Sequence, residues 1–454
     1  MRYKVHSNFL HLWMVVTFFV VCHADVEDGF KEFQDREEET LVNCVHDSAP
    51  RFGRRICDCG YRNEAYITPK FEGSTTEIEL ANCKSLRIRR DTFSELFQLT
   101  KLTIINVEDL ILEPSAFDFT RNIPSAQLKI DLINNVIEEV PSHVLKGPVA
   151  EISFTRCRIG VFKPYSITSV RDQLYALRIV ESLVNRIERH AFKRFDVNQF
   201  TLNGSKFIAS IPSQSFYEIE VLDRLLITNC SFYALLSSAF TFKNVTSLVI
   251  RNNEFNDAAG ESFVMQIRKS IQIVGNYFAK IDESGFQGVN LDSSYYNRNS
   301  ERPALQFHNN RIGQIDGART LRFSNDFNIN LRAIYIEQNI NCDQLVALKE
   351  SSSLLVNNPD EIYFGSSEGS NFKSFQDIQR FQCAEDDFWF YLIIGAVAGS
   401  IVLAIICLLI SWYCVRQKKI QKRKLNVVMP EPRTYRETQI VMQIENHGLL
   451  KTDL

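Results

Sequence analysis

Cysteine and histidine are the residue types most often recruited for chemistry, and this chain holds 11 of the first and 8 of the second. Cys57-Asp58-Cys59 has the spacing of half a zinc site or of a disulfide cluster. Cys230 sits inside Asn229-Cys230-Ser231, an N-glycosylation sequon between two apolar runs, where nucleophile, half-disulfide, metal ligand or none of these are all open locally. The histidines are scattered singly. No G-x-G-x-x-G, G-x-S-x-G or H-E-x-x-H motif and no kinase signature set occurs, so no enzymatic activity, cofactor or bound metal is expected.

The ends of the chain define the compartment in which those cysteines work. Arg2 and Lys4 precede an apolar run from Phe9 to Val21, and Cys22-His23-Ala24 offers the small residues a signal peptidase reads, which predicts a signal peptide over 1–24. The stretch "FWFYLIIGAVAGSIVLAIICLLISWYCV", Phe388 to Val415, carries no charge and is long enough to cross a bilayer. Glu385, Asp386 and Asp387 precede it, and Arg416, Lys418, Lys419, Lys422, Arg423 and Lys424 follow, so the basic side stays in the cytosol. The expectation is a single-pass, type I protein of the plasma membrane with its ectodomain outside. In that oxidising setting a disulfide is the expected role for Cys57 and Cys59. The acidic leader, 25–43, reads as a solvated segment before the folded part, and a net charge of −3 gives no reason to expect a nucleic-acid partner.

Between these ends the sequence repeats. An apolar-x-apolar pattern followed by a small or polar residue recurs at Cys83, Asn135, Cys157, Ser182, Ser205, Cys230, Asn253, Asn276, Asn310 and Asn339, with Val107 as the apolar exception. Steps are mostly 22 to 25 residues. Nine to eleven residues after each of the first nine marks comes a bulky apolar residue: Phe93, Phe117, Val144, Ile167, Phe192, Phe216, Phe240, Phe263 and Phe286. A short strand per repeat would send its two apolar side chains inward, while the polar residue bonds backbone groups that the bend would otherwise bury unpaired. Cys230 thereby acquires a place, as a buried, reduced thiol in that polar row. Cys157 stands three repeats away, too far for a bridge.

This pattern resembles the extracellular leucine-rich-repeat family over roughly 76–341, in about eleven repeats. The resemblance implies an α/β solenoid, a leucine-rich-repeat horseshoe with disulfide-bonded caps, followed here by one transmembrane helix. It implies an N-terminal cap over 44–75 drawing on Cys44, Cys57, Cys59 and Cys83. Family analogy suggests Cys44 with Cys59 and Cys57 with Cys83, although four cysteines allow three connectivities. A C-terminal cap and stalk over 342–387 would use Cys342 and Cys383. Such a family cap commonly has four cysteines, and this one has two.

In that family the concave sheet binds ligands. One outward column runs from Ala81 through Ile105, Ile133 and Arg251 to His308 and Glu337; its neighbour runs from Glu79 through Arg178, Leu226 and Val249 to Gln306 and Tyr335. Ile105, Ile133, Arg178, Leu226, Val249, Arg251 and Tyr335 are the expected contacts, because adjacent apolar side chains on a polar face are typical of protein interfaces. The surplus residues Ser293 to Arg302 form either a partner-contacting loop or a tolerated insertion. Sequons at Asn203, Asn229 and Asn244 would carry glycans over the middle of this surface, with Asn229 disfavoured because it adjoins a buried position.

The tail, 416–454, is too short for a catalytic domain and must recruit others. Glu445, Leu449 and Leu450 fit an acidic dileucine signal for clathrin adaptors, implying endosomal cycling, and Thr452 with Leu454 fits a PDZ-scaffold ligand. Cys407 and Cys414 are positioned for lipidation, and Gly395-x-x-x-Gly399 for a homodimer. The functional expectation is a non-enzymatic surface protein that binds an extracellular protein ligand or a partner cell-surface protein. Cell adhesion, and signalling as a co-receptor for a partner kinase, are the alternatives.

Overall fold

The computed structural model describes residues 40–425, except 47–52, 124–126, 169–173, 296–301, 316–318, 320, 352–357, 366–370 and 384. The expected signal peptide, most of the acidic leader, most of the inserted loop and the tail motifs expected at Glu445, Leu449, Leu450, Thr452 and Leu454 lie outside the described residues. Two units divide the chain, Met1–Ile378 and Gln379–Leu454.

The first unit is a β-solenoid of about 12 turns. Its long sheet contains twelve parallel strands, from Arg54–Asp58 to Asn328–Arg332, each paired residue for residue with the next. The strands alternate as the sequence pattern requires: Leu102 and Ile104 point inward and are fully buried, while Thr103 and Ile105 between them face out. Every turn then bends through a residue in the left-handed region. From Asn82 (φ 57°) to Ala333 (φ 53°) this corner is occupied by Asn at 82, 106, 134, 229, 252 and 309 and by Gly at 204 and 275; Arg156, Glu181 and Ala333 complete the set. Asn and Gly tolerate that region best, which explains why they dominate.

The residue after the corner is the buried polar one. Asn276 accepts the Asn253 N–H on Oδ1 (2.9 Å) and donates from Nδ2 to Ile250 O (3.0 Å), and Asn310 repeats this one turn on, taking the Asn276 N–H (3.0 Å) and donating to Ile273 O (2.8 Å). Ser182 and Ser205 do the same with hydroxyls, and Val107, which has no polar side chain, still gives its N–H to Asn135 Oδ1 (2.9 Å). Beyond this corner the chain forms a second parallel sheet, in a four-stranded and an eleven-stranded part. Among the described residues of the repeats there is no helix, so the expected α/β alternation is replaced by strand after strand. Segments such as Asp109–Leu112 and Arg158–Phe162 are too short to nucleate a helix, and each pairs with the matching segment of a neighbouring turn.

Phenylalanines fill the space between. Phe192, Phe216, Phe240, Phe263 and Phe286 stack in one row at 4.7–6.1 Å between ring centroids. A second row, Phe207, Phe232, Phe255 and Phe278, stacks at 4.7–5.0 Å and meets the first nearly edge-on, as Phe232 does Phe240 at 90°. Edge-to-face contact pairs the positive rim of one ring with the negative face of the other.

At the N-terminal end Cys44–His46 runs antiparallel to Arg54–Asp58. Cys44 bonds Cys57, directly opposite it with Cα atoms 4.1 Å apart, and Cys59 bonds Cys83 one turn further on. The pairing suggested by family analogy is therefore not the one formed: the hairpin places Cys57, not Cys59, across from Cys44. Cys342 and Cys383 are each disulfide-bonded. Arg54–Asp58, assigned by sequence to the cap, already belongs to the long sheet, and the last repeat is displaced. Asn339 is exposed, and the buried corner position after Asn310 is filled by Ile334.

Replacing Asn253 with Ala leaves the Cys230 N–H and the Ile227 carbonyl without their partners and is expected to cost about 3 kcal/mol of unfolding free energy. Cys230→Ser, which installs the residue type already used at 182 and 205, should cost clearly less. Guanidinium unfolding of the full chain checks both.

Candidate functional site

The outward face of the long sheet is built by strand register, so its columns can be followed residue by residue. Ile105 is opposite Ile133, and Leu226 opposite Val249; all four are half-buried among their neighbours. Arg251 follows Val249 by two residues, is exposed, and donates from Nη2 to Gln272 Oε1 (3.3 Å). Arg178 is placed on the face but is already engaged: its Nη1 lies 2.6 Å from Glu151 Oε2, while Lys129 Nζ lies 3.0 Å from Glu151 Oε1. Burial alone would push the Glu151 carboxyl up, but the hydrogen bonds and charges of Arg178 and Lys129 outweigh it and hold the group below its ordinary range. The network thus ties three neighbouring strands together, and Arg178 is not free to greet a ligand.

Tyr335 is a correction. It belongs to the second sheet, in register with Arg311 and Tyr363, and stacks on Tyr363 at 5.2 Å; Glu337 lies beyond it and pairs with Arg311. The last outward residues of the long sheet are Asn330 and Arg332, opposite Gln306 and His308. The alternation Ile334-Tyr335-Ile336 imitates a strand of the long sheet, while "NINLR" from Asn328 to Arg332 forms the last one. Arg224, two residues before Leu226, was readable from the same column rule.

The three sequon asparagines differ in exposure. Asn229 is exposed, because its left-handed corner turns the side chain outward, while Asn203 and Asn244 are half-buried. Asn203 Oδ1 accepts from Thr228 Oγ1 (2.9 Å) and Asn229 Nδ2 (3.3 Å), and Asn244 Nδ2 donates to Glu220 Oε2 at 2.6 Å. The buried position of Cys230 therefore does not bury Asn229.

Cys157 and Cys230 are buried and free, Cys157 Sγ donating to Leu132 O (3.3 Å) and Cys230 Sγ to Thr228 O (3.2 Å). Burial pushes both thiols up to about 11 from an ordinary 9.0, so at neutral pH almost no nucleophilic thiolate exists. In the second unit, the helix Glu385–Leu425 includes one segment, Trp389–Lys422, long and apolar enough to cross a membrane. Cys407 and Cys414 are exposed on it, and nothing within 4 Å would obstruct a side chain at Gly395 or Gly399. No protein-family model matches this chain, and no curated protein matches it in sequence.

Iodoacetamide is expected to leave Cys157 and Cys230 unlabelled in the folded protein and to label both once it is unfolded, read by peptide mass mapping. Because the folded thiols ionise above the unfolded ones, their contribution to stability is complete below about pH 9 and falls as pH rises from 9.0 to about 11.

Proposed function

We propose that this is an extracellular leucine-rich-repeat protein of the single-pass, type I class, and that it binds an extracellular protein through the outward face of its long sheet. The observation that carries the reading is the paired apolar side chains, Ile105 with Ile133 and Leu226 with Val249, held side by side in register on a sheet face whose outward residues are mostly polar. Half-buried apolar pairs of this kind gain free energy when a partner removes their remaining surface from water, and polar surroundings keep the unbound protein soluble. Solenoid geometry supports the same reading, since a rigid stack presents its columns as one broad surface. The uncharged run with acidic residues before it and basic residues after it supports the orientation. In this reading the tail is a non-catalytic recruiter of clathrin adaptors through Glu445, Leu449 and Leu450 and of a PDZ scaffold through Thr452 and Leu454.

With the full chain displayed on cells, a screen against extracellular proteins is expected to return a partner whose binding is lost when Ile105 and Ile133 are both replaced by Asp. Unchanged binding would remove the face as the site. In the same cells Leu449→Ala with Leu450→Ala should raise the surface level, and deletion of Leu454 should abolish PDZ capture. A tail that responds to neither change is not a recruiter.

A further inference from the structure

Charge is distributed unevenly along the long sheet. Outward positions of the first six parallel strands include the carboxylates Asp58, Glu77, Glu79, Asp131 and Glu151, and several of these are satisfied within the sheet by Arg54, Lys129, Arg178 and Ser153. In the shared register of the last six strands, from Gln199–Asn203 to Asn328–Arg332, no outward residue is acidic. Arg224, Arg251 and Arg332 are exposed there, and none forms an ion pair among the described residues. The closest carboxylates in sequence to Arg224, Asp223 and Glu220, accept hydrogen bonds from Gln199 (3.3 Å) and Asn244 (2.6 Å) instead.

Two of these arginines frame the second apolar pair. Arg224 and Leu226 lie two residues apart on one strand, Val249 and Arg251 on the next; Arg224 is opposite Ser247 and Arg251 opposite Thr228. Leu226 and Val249 therefore form the centre of a small rectangle whose diagonal corners are guanidinium groups. One strand spacing across and four residues along put those corners about 14 Å apart. An extended chain repeats its side-chain direction every second residue, so positions i, i+2 and i+4 face one way and span the same distance. Guanidinium is matched to carboxylate by two parallel N–H donors.

Resting on the proposal that this sheet face binds a protein, we infer that its second half takes an extended acidic segment of the pattern carboxylate-x-apolar-x-carboxylate. The apolar side chain sits on Leu226 and Val249, and the two carboxylates pair with Arg224 and Arg251. Gln272, hydrogen-bonded to Arg251, helps to hold that guanidinium toward the ligand. Two isolated cations around an apolar centre suit such a segment better than a sulfated polysaccharide, which would gain from a continuous basic row.

Full-length protein in detergent micelles is panned against a random-peptide display library, with a heparin oligosaccharide as a parallel probe. Enrichment of peptides carrying Asp or Glu four residues apart around an apolar residue is expected. Binding of a synthesised winner should weaken about tenfold or more on Arg224→Gln or Arg251→Gln, be lost on the double Glu variant, and fall with added salt. The inference is overturned if no peptide is enriched, if the enriched pool lacks the pattern or survives the double Glu variant, or if heparin alone binds and is lost with the same substitutions. An unchanged disulfide map and thermal midpoint show that each variant is folded. Loss of the acidic specificity while Ile105→Asp with Ile133→Asp still abolishes binding of the screened protein would leave the sheet face standing and remove only this assignment.

Discussion

The structure depends on how a chain can bend sharply inside its own core. Each turn carries the backbone through a left-handed corner, and that bend leaves N–H and C=O groups facing inward with no strand to pair them. Buried backbone groups without partners are costly, so at most turns the residue after the corner supplies a donor and an acceptor. Asn meets both needs at once, which is why Asn253, Asn276 and Asn310 form an unbroken chain of side-chain to backbone bonds across successive turns. Ser and Cys meet the need less completely. The same bonds fix the height of every turn relative to the next, and the sheet register follows. The surface columns inherit that order, so the alignment of Leu226 with Val249 begins with an amide on the inside of the molecule.

Aromatic packing sets the other dimension. One row of phenylalanines runs along the start of the long-sheet strands and the other lines the second sheet, and their edge-to-face meeting lets two flat side chains per turn fill a narrow core. Stacking at about one strand spacing needs rings to lie parallel within a row, as Phe207 and Phe232 do at 3°. Val144 and Ile167 interrupt the first row. There the packing passes through Phe154 and Phe162, the latter tilted onto Phe192 at 5.0 Å.

Much of this was legible in the sequence. The polar row, the phenylalanine row and the outward columns as far as Gln306 and His308 follow from a period of fixed phase, since residue type at each phase answers one packing requirement. What was not legible depended on information a single repeat does not contain. Choosing strand over helix after the corner depends on the neighbouring turns, which pair with it. The partners of Cys44 and Cys57 are set by a hairpin whose register no spacing reveals. At the end of the array the buried corner residue is Ile334, not a polar one, and without that mark the frame slipped onto the wrong strand and took Tyr335 with it. The exposure of Asn229 was not legible for a related reason: adjacent residues at a left-handed corner point in opposite senses, so a buried Cys230 implies an outward neighbour.

Both sheets finish with a strand that runs backwards. Cys44–His46 closes the long sheet at its start and is bolted there by Cys44–Cys57, and Lys373–Ser374 closes the second sheet at its far end. A parallel stack is by nature a template, because each open end displays the donors and acceptors that the next identical layer would use. Reversing the last strand changes that display, so another copy of the chain arriving in the parallel sense finds its bonds out of step. Each small antiparallel strand thus leaves one end of its sheet ill-matched to a further parallel layer, at the start of the long sheet and at the far end of the second.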